Sequence, residues 1–234
     1  MSMSSTIKQS VTFLMLACLV TGLIAMAWPR LLASLQFLPV QQVQPRLFSS
    51  NATAEVDLAA LIARSQLAIR YHDAFTYHSA LSLLHYLQGI DTRSSLYARR
   101  QSLEESIDEA RIALAGAPLQ PDLWLLMLQS GVQLFMPADE LVADFRMAIW
   151  AGRVEPTHVM TRLQMGFLLL PQLDEEGLSL LRDQVLLAWN SKRHELLSAL
   201  RKGQLNRSKI NQLMAATHPD VVQEMEETLG PVTL

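Results

Sequence analysis

Apolar residues run without interruption near the start of the chain, and this pattern predicts a membrane-embedded helix. Residues 11–28 contain no charged side chain, and they lie between Lys8 and the pair Pro29 and Arg30. At about 1.5 Å per residue, an α-helix of this length spans roughly 27 Å, which is close to the hydrocarbon thickness of a bilayer. The side chains of the predicted membrane anchor include Val11, Leu14, Leu19, Ile24 and Trp28.

The apolar segment has two possible fates, retention as an anchor or removal as a signal peptide. Ala25 and Ala27 form a small-x-small cleavage site at a suitable distance from Lys8. We favour the retained anchor, because Trp28 suits the interfacial belt and the following residues 29–32 are not a typical polar start of a mature chain. Lipidation of Cys18 is disfavoured, because the apolar run continues for ten residues beyond it.

The orientation of the anchor rests on weaker signals. Lys8 on one side is matched by Arg30 on the other, so the positive-inside count is nearly level. The short head, residues 1–10, suits a signal anchor that exports the rest of the chain, and the absence of cysteine from residue 53 onward fits an oxidising compartment. We therefore predict a single-pass protein of a bacterial inner membrane with the bulk of the chain in the periplasm.

After the anchor, the pattern predicts a linker and then a wholly helical domain. Residues 29–53 contain three prolines and a glutamine-rich stretch without sustained helical periodicity, and they are predicted to be a linker. In residues 54–234 the apolar positions recur at spacings of three and four, which is typical of α-helices. Thr53 is predicted to cap a helix that reaches Tyr71 and extends as far as Leu87 if no break intervenes.

Helix-capping residues and prolines divide the helical domain into shorter helices. The sequence Ser102-Leu103-Glu104-Glu105 has the form of a capping box and predicts a helix start. Three prolines stand before apolar helical stretches, where the missing amide proton costs nothing; they are Pro121, Pro156 and Pro219. The acidic run that begins at Asp174 is explained most simply as a helix N-terminus, where negative charge meets the positive end of the helix dipole.

An internal repeat relates residues 105–135 to residues 140–170 at a shift of 35 positions, with eight identities in 31 pairs. The conserved types include small residues and a proline, which a stacked helical hairpin needs at its helix contacts and turns. The identical pairs are Glu105/Glu140, Arg111/Arg146, Ala113/Ala148, Pro121/Pro156, Leu128/Leu163, Gln129/Gln164, Gly131/Gly166 and Leu134/Leu169.

The repeat resembles the tetratricopeptide repeat family, whose units have about 34 residues, small residues in the second helix and a proline at the unit boundary. Ala110, Ala113 and Pro118 match that spacing, whereas Phe145 and Arg153 depart from it in the second unit. The resemblance covers roughly residues 65–190, and it implies an all-α array of antiparallel helical hairpins.

A second resemblance concerns the arrangement of the whole chain. An N-terminal anchor, an alanine-rich helix that ends in ALAGAPLQPDLWLLM, and a later helix that ends in LLAWNSKRHELLSALRK are similar to small repeat proteins associated with bacterial exopolysaccharide synthesis and export. This resemblance implies a scaffold or adaptor in an envelope assembly with protein partners.

Composition and charge narrow the classes of function. There are 19 Lys and Arg against 22 Asp and Glu, so the chain lacks the basic surplus that nucleic-acid binding requires. The sequence contains no phosphate-binding loop, dinucleotide fingerprint, nucleophile elbow or H-E-x-x-H motif, and the single cysteine excludes cysteine-ligated zinc and iron–sulfur sites. We therefore predict no enzymatic activity and no cofactor.

Three histidines, His72, His78 and His85, invite a metal hypothesis that helical geometry argues against. On one helix His78 and His85 lie about 10.5 Å apart along the axis, too far to share an ion. We expect the Tyr and His tips of this region to reach solvent or partner groups while Phe75 and Leu81 pack inward. Three tryptophans are predicted to be core residues rather than interface anchors: Trp124, Trp150 and Trp189.

Charge changes sign in the C-terminal third of the chain. Residues 192–209 contain six basic residues and only one acidic residue, Glu195. Acidic residues without a basic one follow from Asp220. The basic residues, Lys192, Arg193, Arg201, Lys202, Arg207 and Lys209, are candidates for binding a protein partner, anionic lipid or an acidic polysaccharide. This gives a second hypothesis, a periplasmic glycan-binding or chaperone-like module. Alternatively, the acidic tail helix folds back and neutralises the basic stretch.

Overall fold

The computed structural model describes residues 3–47 and 56–230, and every regular element among them is helical, so the predicted all-α class is confirmed. A single-turn 3-10 helix, Leu170–Gln172, separates α7 from α8. The α-helices are α1 (Met3–Leu47), α2 (Leu58–Tyr71), α3 (Phe75–Ile90), α4 (Leu96–Gly116), α5 (Pro121–Gln133), α6 (Ala138–Trp150), α7 (Val159–Leu168), α8 (Glu175–Ser191), α9 (Arg193–Arg201), α10 (Arg207–Met214) and α11 (Pro219–Leu229).

The first helix does not end where the apolar segment ends. α1 runs for 45 residues, so the predicted linker is wrong over residues 29–47, while residues 48–53 lie outside the described residues. Beyond Trp28 the buried side chains of α1 recur at spacings of four and three, as Ala33, Phe37 and Val40, and they pack against α2 and α3. This spacing is the heptad-like pattern of a helix that packs on neighbouring helices.

The prolines of α1 are tolerated because they avoid its packed face. Pro39 and Pro45 are exposed, as are Leu35 and Gln41, whose carbonyl groups lose their amide donors four residues later. Exposed carbonyls can be hydrated by water, so the missing bonds do not become unsatisfied groups in the core.

Two helix boundaries in the next part of the chain differ from those predicted. α2 ends at Tyr71 and α3 begins at Phe75, so no continuous helix reaches Leu87. The N-cap of α2 is Asp57, whose carboxylate accepts a hydrogen bond from the amide of Ala60, whereas Thr53 lies outside the described residues.

The predicted capping box is not a helix start. α4 begins at Leu96 and is capped by Ser95, so Ser102 and Glu105 lie inside the helix. The Ser102 hydroxyl instead donates to the side-chain oxygen of Gln88 on α3. Ser102 therefore links two helices and does not cap one.

Other predicted helix starts agree with the structure. Pro121 and Pro219 open α5 and α11, and Asp174 caps α8 by accepting a hydrogen bond from the amide of Gly177. Pro156 precedes α7 by three residues. These signals are local ones, because each depends on unpaired amides within a single helical turn.

The helices pack against their neighbours in sequence and against alternate helices. Contacts link each consecutive pair from α1 to α9, and further contacts join α1 to α3, α3 to α5, α5 to α7 and α6 to α8. Alternate helices therefore share a layer: α1, α3, α5 and α7 on one side, and α6 and α8 on the other. One core cluster contains the packed half of α1, and the largest cluster extends from α5 to α11.

The closest pair of helices, α3 and α4, meets through small and polar residues. The hydroxyls of Ser82 and Ser106 each donate to the other residue's backbone carbonyl, at 2.7 and 2.9 Å. A β-carbon added at Gly89 would lie 2.6 Å from the Leu103 side chain. The Ser130 hydroxyl of α5 donates to that of Ser106, so a buried line of three serines connects three successive helices.

The first segment of the 35-residue repeat covers α4 and α5, and the second covers α6 and α7. In the repeat, α4 therefore corresponds to α6, and α5 corresponds to α7. Gly131 lies against Leu141 of α6, and Gly166 lies against Leu181 of α8, with room for no β-carbon at either position. Each glycine thus allows the next helix to approach closely, which explains why this residue type recurs.

The turn between α6 and α7 is held by a buried cation. Arg162 is fully buried, and its guanidinium donates to the carbonyls of Gly152 at 2.7 Å and Glu155 at 3.2 Å. Burial lowers the pKa of Arg162, and the charges of Glu155 and Asp122 act in the opposite direction. The side chain of Gln184 donates to the carbonyl of Arg153, so the whole turn is fixed by side chains of α7 and α8.

One carboxylate destabilises the fold at neutral pH. Burial raises the pKa of Asp144 from 3.8 to about 6, opposed by Arg111 and assisted by Glu140. The folded chain therefore binds the Asp144 proton more tightly than the unfolded chain does, and stability falls as the pH rises from about 4 to about 6.

We therefore expect Asp144→Asn to raise the free energy of unfolding by about 1–2 kcal/mol at pH 7.5 and to change it little at pH 4. Thermal unfolding followed by circular dichroism at both pH values would measure this difference. Asp139→Asn is the matched control, because Asp139 is exposed on the same helix. Equal effects of the two substitutions at pH 7.5 would contradict this account.

Candidate functional site

A groove opens on the layer of helices that includes α1. Its cavity has a volume of about 220 Å³ and takes its lining from α1, α3, α5 and α7. Leucines supply most of the apolar lining, as Leu83, Leu87, Leu123, Leu125 and Leu126. Polar side chains lie among them, as Gln44, Ser79, Tyr86, Asp122, Gln129, His158 and Thr161.

The polar end of the groove is ordered by an ion pair. His158 Nε2 lies 2.8 Å from the Asp122 carboxylate, which joins the start of α7 to the start of α5. The hydrogen bond from His158 lowers the pKa of Asp122, and burial opposes this shift. Asp122 is therefore a carboxylate at neutral pH, so this end of the groove is charged while the leucine floor is not.

An apolar floor with scattered amides and hydroxyls suits a protein segment better than a small charged ligand. The leucines can bury one or two apolar side chains, and the amides of Gln44 and Gln129 can each donate to and accept from a backbone.

The groove was missed in the sequence because its residues come from four separate helices. One signal did point to it: Gln129 and Gln164 are identical across the 35-residue shift. Gln129 lines the groove, and Gln164 lines a second, shallower cavity beside α9 together with His194 and Gln204. The repeated glutamine therefore lines a cavity in both units.

The predicted anchor residues lie on a fully exposed part of α1. Residues 10–28 have no buried side chain, and Trp28 is 56% exposed. Within the described residues this helix is long and apolar enough to cross a membrane. The Thr21 hydroxyl donates to the carbonyl of Ala17, so this polar group is satisfied within the helix.

The predicted basic stretch is partly neutralised by the acidic tail. Arg193 pairs with Glu224 of α11 and lies 3.8 Å from the ring centre of Trp189. Arg207 donates to Glu226 at 2.8 Å and to the carbonyl of Gly230. For these two arginines, the structure therefore agrees with the alternative prediction that the acidic tail helix folds back and neutralises the basic stretch.

The remaining basic residues are placed differently. Lys192 pairs with Glu195 at 2.9 Å. Arg201, Lys202 and Lys209 are exposed and form no side-chain ion pair with the described part of the chain. The stretch thus has three accessible charges, spread over the end of α9 and the start of α10, rather than one continuous basic face.

The histidine region differs in part from the prediction that its Tyr and His tips reach solvent or partner groups, because two of its histidines are buried. His78 is buried between α3 and α4, with its two ring nitrogens 2.5 Å from Glu109 and 2.9 Å from Asp73. His85 is also buried, 3.0 Å from Glu105, and burial lowers its pKa despite that neighbouring charge. Phe75, which was expected to pack inward, is 40% exposed.

The three tryptophans differ in their surroundings. Trp189 is buried as predicted, and Trp124 is partly buried with its indole donating to the carbonyl of Pro118 at 2.8 Å. Trp150 is 49% exposed, so the prediction of a core position is wrong for this residue. It is the last residue of α6.

Comparisons of the chain with protein families, with curated proteins and with solved structures yield no match.

The contacts of the acidic tail lead to a prediction about α11. Hydrogen bonds from Arg207 and Asn211 lower the pKa of Glu226, so its carboxylate supports α11 at neutral pH and that support weakens as the pH falls. We expect Glu226→Gln to accelerate amide hydrogen exchange over residues 219–229 at pH 7. Glu227→Gln, one position away and exposed, is the control. Unchanged exchange in the Glu226 variant would show that these bonds do not hold the tail.

Proposed function

We propose that this protein is a membrane-anchored helical scaffold that holds a segment of a partner protein in the groove of α1, α3, α5 and α7. The observation that carries the proposal is the continuity of α1, which supplies both the apolar span and one wall of the groove through Gln44. A binding surface built on the anchor helix itself presents its partner at a fixed place relative to the membrane.

The array supports this function by its manner of packing. Consecutive antiparallel helices with glycines at equivalent contacts are what stacked helical hairpins require, and such arrays bind protein segments on a shared helical layer. We therefore interpret the fold as a degenerate tetratricopeptide-like array with α1 added to the groove-bearing layer.

The groove is favoured over the basic stretch as the binding surface. Two of the six basic residues are engaged by α11, and Lys192 is paired within its own turn, so the charge available to an acidic polysaccharide is small. The groove combines leucines with polar side chains, a composition that protein-binding sites share.

The proposal extends to the location and the assembly. We place the anchor in a bacterial inner membrane and the helical domain in the periplasm, and we assign the scaffold to an envelope machine for exopolysaccharide synthesis or export. The supporting arguments are the apolar span of α1 and the resemblance of the chain to small repeat proteins of that kind. The proposal includes no catalytic step and no cofactor.

A charge placed in the groove should abolish partner binding. We expect the double variant Leu83→Glu, Gln129→Glu to lose at least tenfold in the recovery of membrane partners that co-purify with the wild-type protein, because a carboxylate on the apolar floor must be desolvated. Both positions are only partly buried, so folding should survive; circular dichroism would verify this.

Gln101→Glu is the matched control for the groove variant. Gln101 is exposed on α4, and it does not line the groove. Equal recovery of partners by the groove variant and by this control would contradict the proposal.

The location can be tested by reporter fusions after Leu234. We expect activity from a reporter that folds only in the periplasm and none from a reporter that requires the cytoplasm, with residues 1–27 retained in the intact mass. Activity of the cytoplasmic reporter alone would overturn the periplasmic placement, whereas loss of residues 1–27 would show a cleaved signal in place of the anchor.

A further inference from the structure

We infer that one end of the helical array rests on the lipid surface, with exposed apolar side chains of three interhelical turns at headgroup level. This inference rests on the proposed anchoring of α1. The three turns, here called the proximal turns, connect α2 to α3 (residues 72–74), α4 to α5 (residues 117–120) and α6 to α7 (residues 151–158).

Contacts between residues place the proximal turns at the same end of the array. Phe75 at the start of α3 lies against Gly116 at the end of α4. Pro121 at the start of α5 lies against Gly152, just after α6, and Asp122 pairs with His158 before α7. Each turn therefore contacts the next, and the three form a row along one edge.

The same edge faces the apolar span of α1. The rings of Phe37 on α1 and Tyr77 near the start of α3 are 4.8 Å apart, and farther along α1 Gln44 lines the groove with Leu83 and Leu87 of α3. α3 therefore runs in the same direction as α1, and its first turn lies level with Phe37, nine residues beyond Trp28. The first proximal turn lies only a short distance beyond Trp28, where the apolar span ends.

Apolar side chains project from all three proximal turns or from the helix ends beside them. Leu119 is 73% exposed and Val154 is 82% exposed. Tyr71, Phe75 and Trp150 are each between two and three fifths exposed. Leucine and valine at turn tips can enter the acyl boundary, while tyrosine and tryptophan suit the interface because one end of each ring is polar.

The charges along this edge do not demand anionic lipid. Exposed Arg70 and Arg153 are accompanied by exposed Asp73, and Arg153 is paired with Asp183 at 2.5 Å. We therefore expect contact with a zwitterionic phosphatidylcholine surface, driven by apolar burial rather than by counter-charge.

The opposite end of the array provides an internal control. Tyr97 is 79% exposed next to the start of α4, and Phe135 is 93% exposed after α5, so apolar exposure alone does not separate the two ends. The geometry does separate them, because α1 continues for nineteen residues past Trp28 toward that far end, a rise of about 28 Å.

The test uses the full chain in phosphatidylcholine nanodiscs. In a Cys18→Ser background, a single cysteine replaces Leu14 in the span, Leu119 or Val154 in the proximal turns, or Tyr97 at the far end, and each carries a nitroxide label. Electron paramagnetic resonance then compares collisions with oxygen, which partitions into lipid, and with a water-soluble nickel chelate. The three positions outside the span are exposed, so labelling should leave the fold intact.

We expect the oxygen-to-nickel accessibility ratio at Leu119 and Val154 to exceed that at Tyr97 several-fold and to approach the ratio at Leu14. Low ratios at Leu119 and Val154 with a high ratio at Leu14 would overturn the inference and leave the anchor standing. A low ratio at Leu14 would overturn the anchoring proposal as well. A high ratio at Tyr97 would also overturn the inference, because the array would then lie on another face.

Discussion

One helix has to satisfy two different surroundings, and the rest of the architecture depends on it. Residues 11–28 of α1 have exposed, predominantly apolar side chains on all sides, which only a lipid environment or a large apolar partner can accept. The second half narrows to a single apolar stripe that packs on α2 and α3. The change occurs near Trp28 and Pro29 without an interruption of the helix, so one continuous helix joins the span to the array.

Close helix approach is the second constraint on the array. Small residues, serine and glycine, occupy the positions where α3, α4 and α5 meet, and the serine hydroxyls form hydrogen bonds between the helices. Polar groups in such contacts must be satisfied, because an unpaired buried donor or acceptor costs about 1–3 kcal/mol. The same packing leaves the opposite surfaces of α3 and α5 free to form the groove with α1.

The sequence predicted the helical class and several helix starts well, because those signals act within one turn, whereas the capping box at Ser102 was wrong. Pro121, Pro219 and Asp174 mark helix starts by their own chemistry. The linker predicted from the prolines over residues 29–47 is instead helical, because Ala33, Phe37 and Val40 pack this part of α1 against its neighbours. Which face of a helix a proline occupies decides its effect, and that face is set by tertiary packing.

The site was less predictable than the fold, for a geometric reason. Six basic residues within eighteen positions were visible in the sequence as a cluster, yet α11 covers two of them. The groove residues are scattered over more than a hundred positions and acquire meaning only when alternate helices share a layer. Long-range pairing of this kind leaves no periodic trace within a single helix.

The rigid connection has a consequence for the kind of segment the groove can accept. Gln44 lies sixteen residues beyond Trp28 on the same helix, so the part of the groove that α1 lines stands about 24 Å above the end of the apolar span. A flexible linker would let a binding site sample many heights, whereas a continuous helix holds it at one. The proposed scaffold therefore suits partner segments that leave the membrane and reach this height, and a partner anchored in the same bilayer would meet the groove at a high effective concentration.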